Sequence, residues 1–436
     1  MTTRRTVAPV VPSALRRLGV VALAAALPIA LAGCGSGDGG HHAGPGKASG
    51  AVELVGTTST VRPDPAAAGP LAGSEKDFAI ALVHQLNDGG AANVSASPAS
   101  LDLALSMLAN GARGTTRSQI QHVLQAGDST NAGWQALTAA WDSAATNGSF
   151  ALSTANAAWL QKGFPVEAAF LTALKRYYAT GVWTVDFAKS MPAALAALNA
   201  WTADHTNGKI TKLFDTLDPA TALVLADAVH FKAAWETQFD PRDTASAPFT
   251  LSTGRTVPAK FMNDTGSYRS AIGSDYDAVE LPYRGGRFAA LAVMPTHTSL
   301  HDFTAALSAS QLDAITGSLT SQGIALSVPK FTTSSTLNLK QTLSAMGMPL
   351  AFGERADFSA MTSRPVAVGQ VIQRVYLAVA EKGTEAAAVT GAAIGATAIA
   401  APPLRITLDH PFLFLIRDTS TGAILFASRI ADPTAG

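Results

Sequence analysis

One stretch near the C-terminal end limits the folds open to this chain. Glu381-Lys382-Gly383-Thr384-Glu385-Ala386-Ala387-Ala388-Val389-Thr390 continues from Gly391 to Ala400 and stops at Pro402-Pro403. Beyond Glu385 it has no charge and no aromatic, only small and β-branched residues. A segment with so little to bury reads as an exposed loop. The plainer alternative is a low-complexity Ala/Gly linker. Alternate residues show a second pattern: Thr384, Ala386, Ala388, Thr390, Ala392 and Ile394 would share one face of a strand. The stretch lies between two strand-like runs, not at a terminus. The host fold must therefore accept a segment that is a loop in one state and can be a strand in another.

The 436 residues allow two or three domains or one large α+β domain. Lys plus Arg and Asp plus Glu balance at 31 each. Four of the basic residues, Arg4, Arg5, Arg16 and Arg17, precede residue 34, where there is no acid. The rest of the chain is mildly acidic with no basic stripe, which predicts no nucleic-acid partner. Behind Arg16-Arg17, the apolar run Leu18–Ala32 is interrupted by Pro28. It is short for a membrane span and suits a signal peptide. It ends Leu31-Ala32-Gly33-Cys34, which resembles the bacterial lipoprotein cleavage box, and Cys34 is the only cysteine. An internal disulfide or cysteine metal site is thereby excluded. The expectation is a signal peptide over residues 1–33 and a lipid anchor at Cys34. The protein would then sit on the extracellular face of the cell membrane, or be secreted. Residues 34–73 are Gly-, Ala- and Pro-rich and read as a flexible tether, with His41-His42 as solvated filler.

The folded domain is expected over residues 74–433, with Ser74 capping a first helix. Ser97 and Pro98 open a second helix, apolar nearly all round, and Gly111 ends it. A short helix through Ile120 and another carrying Trp134 and Trp141 follow. Residues 150–161 read as a buried strand, Phe164-Pro165 leads into a helix through Phe170, Leu174 and Tyr177-Tyr178, 182–187 reads as a strand, and the segment from Pro192 to Asn207-Gly208 as a helix. The run 222–231 is apolar enough for a strand covered on both faces. Strands at 256–262, 276–282 and 287–294 form a meander, and two helices fall around 299–321. A strand at 324–331, a helix at 336–346 and a long strand at 366–380 lead into the small-residue stretch. Phe412–Ile416 and Ala423–Ala427 pair across Thr421-Gly422.

At the small-residue stretch the sequence resembles the reactive-loop hinge of the serpins, a family of serine protease inhibitors. The family pattern is an acidic residue, a variable one, then Gly-Thr-Glu-Ala-Ala-Ala. Further matches occur in order along residues 74–432: Asn93 to Ser100, Asn156-Ala157-Ala158-Trp159-Leu160, and Thr206-Asn207-Gly208-Lys209-Ile210. Ala228 to Trp235, Phe239-Asp240-Pro241, Val328-Pro329-Lys330-Phe331 and His410-Pro411-Phe412-Leu413-Phe414 complete the set. The resemblance implies an α+β serpin fold: a large, mostly antiparallel central sheet, smaller sheets, about nine helices and an exposed reactive loop at about 383–401.

Gly-x-Ser-x-Gly, His-Glu-x-x-His and a P-loop are absent, and the histidines lack metal-ligand spacing. Ser327-Val328-Pro329-Lys330 fits Ser-x-x-Lys, but it lies in a strand where the acyltransferase motif must open a helix. No catalytic residue, cofactor or metal is expected.

The resemblance implies a suicide substrate. A serine protease forms its acyl-enzyme on the loop, and the cleaved loop then inserts as a new strand. The hinge would be Glu381, Gly383, Thr384, Glu385, Ala386, Ala387 and Ala388. Sheet opening would involve Ser97, Ser100, Asp227 and Gln373, with Trp235, Lys330 and Glu381 at the entry point. Asn and His are commoner in the family where Asp227 and Gln373 stand. From the residues alone, Ser97 is an adequate helix cap, Trp235 can be core, and an exposed Lys330–Glu381 pair is worth roughly 0–1 kcal/mol. Family spacing places the reactive bond at Thr397-Ala398; counting back from Pro402 places it at Ile399-Ala400. With no basic or large aromatic side chain between, the expected target is an elastase-like or subtilisin-like protease met by a monomer. The alternative is a non-inhibitory serpin-fold binding or chaperone-like protein.

Overall fold

A computed structural model describes residues 50–57, 62–87, 92–127, 129–145, 150–218, 220–385 and 404–435. Its strands begin with β1 (Val52–Leu54), β2 (Val94–Ala96), β3 (Phe150–Gln161), β4 (Val182–Val185) and β5 (Leu223–Ala234). The middle of the chain adds β6 (Ala245–Thr250), β7 (Thr256–Ile272), β8 (Tyr276–Pro282), β9 (Phe288–Pro295), β10 (Thr320–Pro329) and β11 (Phe331–Asn338). β12 (Gln370–Ala380), β13 (Gly383–Thr384), β14 (Leu404–Thr407), β15 (Phe412–Asp418) and β16 (Ile424–Ile430) complete them. The helices are α1 (Ala68–Gln85), α2 (Pro98–Gly111), α3 (Gly114–Val123), α4 (Thr130–Ala145), α5 (Ala168–Tyr178) and α6 (Met191–His205). α7 (Leu300–Ala306), α8 (Ala309–Ser318) and α9 (Lys340–Met346) follow.

The strands form two sheets. One has the order β1-β4-β3-β5-β13-β12-β11, and in it β5 also pairs directly with β12. The other runs β14-β10-β7-β8-β9-β15-β16-β2, with β6 on β7. Helices pack on both faces of the first sheet. β5 is mostly apolar on both faces because it is covered twice: Leu225, Val229 and Phe231 join the main core, while Val224, Ala226 and Ala228 pack toward α6. α2 lies buried on the main-core side.

Several expected boundaries move. The tether expected to reach residue 73 is ordered well before that. Val52–Leu54 pairs antiparallel with β4, where a strand edge is open to any short extended segment. The first helix starts at Ala68, and Pro70 falls in its first turn, where a backbone N–H has no partner to lose. Ser74 is therefore no cap; its hydroxyl bonds back to the Pro70 and Leu71 carbonyls. The strand expected over 324–331 is two strands in different sheets, β10 and β11, separated at Lys330. β11 continues with a period of two through Thr333 and Ser335, so the next helix begins at Lys340, not 336. β7 runs on to Ile272, well past the expected end at 262. β12 starts at Gln370 rather than 366.

Candidate functional site: the hinge and the closed sheet

After β12 ends at Ala380, the chain turns through Glu381-Lys382 and doubles back between β12 and β5. Gly383 and Thr384 pair antiparallel with both, against Ala380 and Val379 on one side and Ala234 and Ala233 on the other. Gly383 is required by close approach, since a Cβ there would lie 2.0 Å from the Ala233 carbonyl oxygen. Thr384 is fully buried, and its hydroxyl is 2.7 Å from the Tyr283 hydroxyl. Tyr283 stacks on Trp235 at 4.5 Å between ring centres. The Trp235 indole N–H donates to the Ala380 carbonyl at 2.9 Å, and its backbone N–H donates to Lys382. Trp235 is thus core, and it also fixes the turn into the hinge.

Two carboxylates hold this end. Glu381 accepts from Lys330 Nζ and from the Thr244 hydroxyl, each at 2.9 Å. Burial pushes its pKa up, but the hydrogen bonds outweigh that and leave it below the ordinary carboxylate range. Glu381 is only 12% exposed, so the pair with Lys330 is better shielded than a surface pair. Glu385 has a left-handed backbone, with φ of 47°. Its carboxylate lies 2.5 Å from His230 Nε2 and 3.1 Å from Lys209 Nζ.

Farther along, β5 and β12 pair directly and in parallel, from Val224 opposite Gln370 to His230 opposite Tyr376. Side chains bridge this seam at Asp227 and Gln373, both fully buried. Gln373 Nε2 donates to Asp227 Oδ2 at 2.6 Å and to the Ser97 carbonyl at 2.9 Å. Gln373 Oε1 accepts from the Ser97 N–H at 2.9 Å. The Ser100 hydroxyl donates to Asp227 Oδ1 at 2.7 Å and also contacts Asn156 on β3. Ser97 does not cap α2 through its side chain; its hydroxyl donates to the Leu425 carbonyl at 2.6 Å. α2 is thereby tied to β12 through Ser97 and to β5 and β3 through Ser100. Burial raises the Asp227 carboxyl to about 7 against the pull of its two hydrogen bonds. Among the described residues no cation compensates it, so the side chain is not the permanent charge that the sequence suggests.

The sequence-predicted residues therefore form two groups. Glu381, Gly383, Thr384, Glu385, Trp235 and Lys330 meet at the top of the seam, and Ser97, Ser100, Asp227 and Gln373 meet along it. Cys34, Ala386–Ala388 and Thr397–Ala400 lie outside the described residues. Sequence reasoning missed Tyr283, Thr244 and Lys209 as hinge partners: nothing around Tyr283 and Thr244 marks them, and the family match that contains Lys209 does not tie it to the hinge. His230 carried a signal: with Asp227 it is one of two polar residues in the apolar run 222–231.

The serpin (serine protease inhibitor) family model matches residues 73–433. A serpin-like protein of Thermococcus kodakarensis is 33% identical over 372 residues, covering 84% of this chain and 87% of its own. Neuroserpin of Gallus gallus is 32% identical over 360 residues, covering 79% and 87%. Among solved structures, the thermophilic serpin tengpin in its native state matches with a TM-score of 0.78 at 25% identity, covering 88% of this chain and all of that one. Thyroxine-binding globulin in complex with thyroxine matches at 0.75 and 29% identity, covering 84% and 100%. The chain belongs to the serpin family. The family's members act on proteases as inhibitors, not as catalysts, and the fold also serves proteins that do not inhibit.

Proposed function

We propose that this protein inhibits a serine protease by inserting its cleaved reactive loop between β5 and β12. The observation that carries this is the register of the hinge. Continuing the antiparallel pairing of Gly383 and Thr384 down the seam sets Ala386 beside Phe231 and Leu377, and Ala388 beside Val229 and Val375. Thr390 falls between Asp227 and Gln373, Ala392 beside Leu225 and Val371, and Ile394 beside Leu223, the first residue of β5. The side chains on the core face are thus smallest where the flanking strands are bulkiest. Thr390 brings a hydroxyl to Asp227 at the point where Gln373 is pushed away. Insertion replaces one parallel ladder by two antiparallel ones, each hydrogen bond contributing about 0.5–1.5 kcal/mol net.

In the reaction, the protease serine Oγ attacks the carbonyl carbon of Thr397. The bond to the Ala398 nitrogen breaks, and the new amine takes the proton. Gly383 to Ile394 spans roughly 40 Å as a strand, so the esterified protease would be carried the length of β5. The small apolar residues from Ala396 to Ala400 suit the shallow pocket of an elastase-like or subtilisin-like enzyme. A non-inhibitory carrier is the competing reading, and the reaction itself separates the two. On incubation with elastase or subtilisin, a complex that survives boiling in SDS is expected. Mass measurement of the released C-terminal peptide should show a first residue between Ala398 and Ala401. Cleavage without complex, or tight inhibition of trypsin but not of these enzymes, would refute the proposal.

The resemblance around Cys34 supports a lipid anchor that holds the protein on the outer face of the cell membrane. Cys34→Ser is expected to move the protein out of the membrane fraction or block its processing. A variant that fractionates like wild type would rule the anchor out.

A further inference from the structure

The contacts of Glu385 stand where the first sheet forks. β5 and β12 pair directly as far as His230 opposite Tyr376; above that the hinge lies between them, with Thr384 beside Ala233 and Val379. Glu385 is the first residue past this wedge. Its N–H still donates to the Ala378 carbonyl at 3.0 Å, as a continuing antiparallel strand requires. Its left-handed backbone then turns the chain out of the sheet. A positive φ is uncommon for a residue with a side chain and persists only where contacts hold it. Here the contacts are His230 and Lys209. Asn207 and Gly208, both left-handed, return the chain at the end of α6, and Lys209 follows directly. The carboxylate and the imidazole are only 7% and 5% exposed. A carboxylate so deeply buried depends on its partners.

Insertion cannot keep this arrangement. Val224, Ala226 and Ala228 face α6, so His230 and Lys232 follow them on that face of β5. Extending the register of Gly383 and Thr384 sets Glu385 directly opposite Lys232 and Ala387 between His230 and Tyr376. Glu385 must then take an extended backbone, and the place beside His230 passes to Ala387. Lys232 is half-buried and makes no ion pair with any described residue. Opposite charges set directly across two strands attract each other. The inserted strand therefore brings a carboxylate to a lysine that has none among the described residues of the uncut protein.

We propose that Glu385 is a latch with two seats. In the uncut protein Lys209 and His230 hold it and stop the loop after Thr384; in the cut protein it crosses to Lys232. Lys209 thus serves the uncut state alone, and Lys232 the inserted state alone. The second seat rests on the insertion reading above; the first does not.

The test compares unfolding midpoints of the full-length protein before and after thermolysin cuts the reactive loop. Lys209→Met should lower the uncut midpoint by roughly 3 °C and leave the cut midpoint unchanged. Lys232→Met should leave the uncut midpoint unchanged and lower the cut one by roughly 2 °C. Lys209→Arg keeps a cation at the first seat and should restore the wild-type value. A lysine that only supported the loop after α6 would lower both forms together. Where cutting stabilises wild type, a Lys209→Met loss in both forms or in neither would overturn the first seat. A Lys232→Met cut form as stable as cut wild type would overturn the second. If cutting leaves the wild-type midpoint where it was, insertion fails and the second seat with it, while the uncut Lys209→Met and Lys209→Arg proteins still decide the first.

Discussion

Thr384→Arg is expected to turn the protein from an inhibitor into a substrate. With elastase or subtilisin, the variant should be cut in the reactive loop as fast as wild type, while the SDS-stable complex falls at least tenfold. Thr384 is fully buried, set between Ala233 and Val379 and bonded to the Tyr283 hydroxyl. Tyr283 in turn stacks on Trp235. Position 384 already lies between β5 and β12 in the intact protein, so an arginine there would be expelled from the sheet before cleavage and would have to be buried again for insertion, with no acid to meet it and at a cost of several kcal/mol. Insertion competes with hydrolysis of the acyl-enzyme, and each 1.36 kcal/mol added to its barrier slows it about tenfold. Thr384→Val keeps the shape and loses only the hydroxyl, so it should still form the complex. Equal amounts of complex from Thr384→Arg and wild type would exclude insertion of this hinge.

Asp227→Asn is expected to raise the unfolding midpoint at pH 8 by on the order of 5 °C and to change it little at pH 4. The Asp227 carboxyl is raised in the folded protein, chiefly by burial, to about 7 from its ordinary value near 3.8. A group with a raised folded pKa contributes its full stability below the unfolded value and loses it as pH rises through the folded one. Wild type should therefore lose stability between about pH 4 and pH 7 and level off above that. Asp102, raised to about 7 by burial against hydrogen bonds from Trp134 and Ser106, acts in the same direction. Glu75, also raised by burial, adds to it. Those two remain in the variant, so its profile should flatten only in part. The partners of Asp227 are Ser100 on α2 and Gln373 on β12, neither of them charged. An asparagine can satisfy both, since the Ser100 hydroxyl can accept as well as donate. A wild-type midpoint that rises from pH 5 to pH 8, or a variant that parallels wild type throughout, would show that Asp227 does not titrate as described.

Much of this was legible in the sequence because local and global signals agree. The run at 222–231 has the largely apolar character of a doubly covered strand, and Ser97-Pro98 opens a helix where expected. On composition alone Gly383-Thr384 reads as exposed loop; the family resemblance marks it as a hinge, and its burial between β5 and β12 belongs to the fold. What was not legible depends on tertiary contact. Val52–Leu54 looks like tether and becomes a strand because β4 offers it an open edge. Ser74 has the chemistry of a cap but sits a turn and a half inside a helix whose start contains a glycine and a proline. Tyr283 and Lys209 lie far along the chain from the hinge; no pattern selects Tyr283, and the family match around Lys209 does not point to the hinge. Asp227 was readable as a departure from the family, but the upward shift of its pKa was not, since its burial belongs to the fold.

The central claim is that the loop gains a place in the sheet once it is cut. Thermolysin cuts before apolar residues such as Ile399 through a metal-bound water rather than an acyl-enzyme, so it is released and not trapped. The unfolding midpoint of the protein before and after that cut is the most direct measurement. Insertion predicts a rise on the order of 20 °C as two full ladders form around the new strand. A cut protein that unfolds at the same temperature as the intact one, or below it, would contradict the claim.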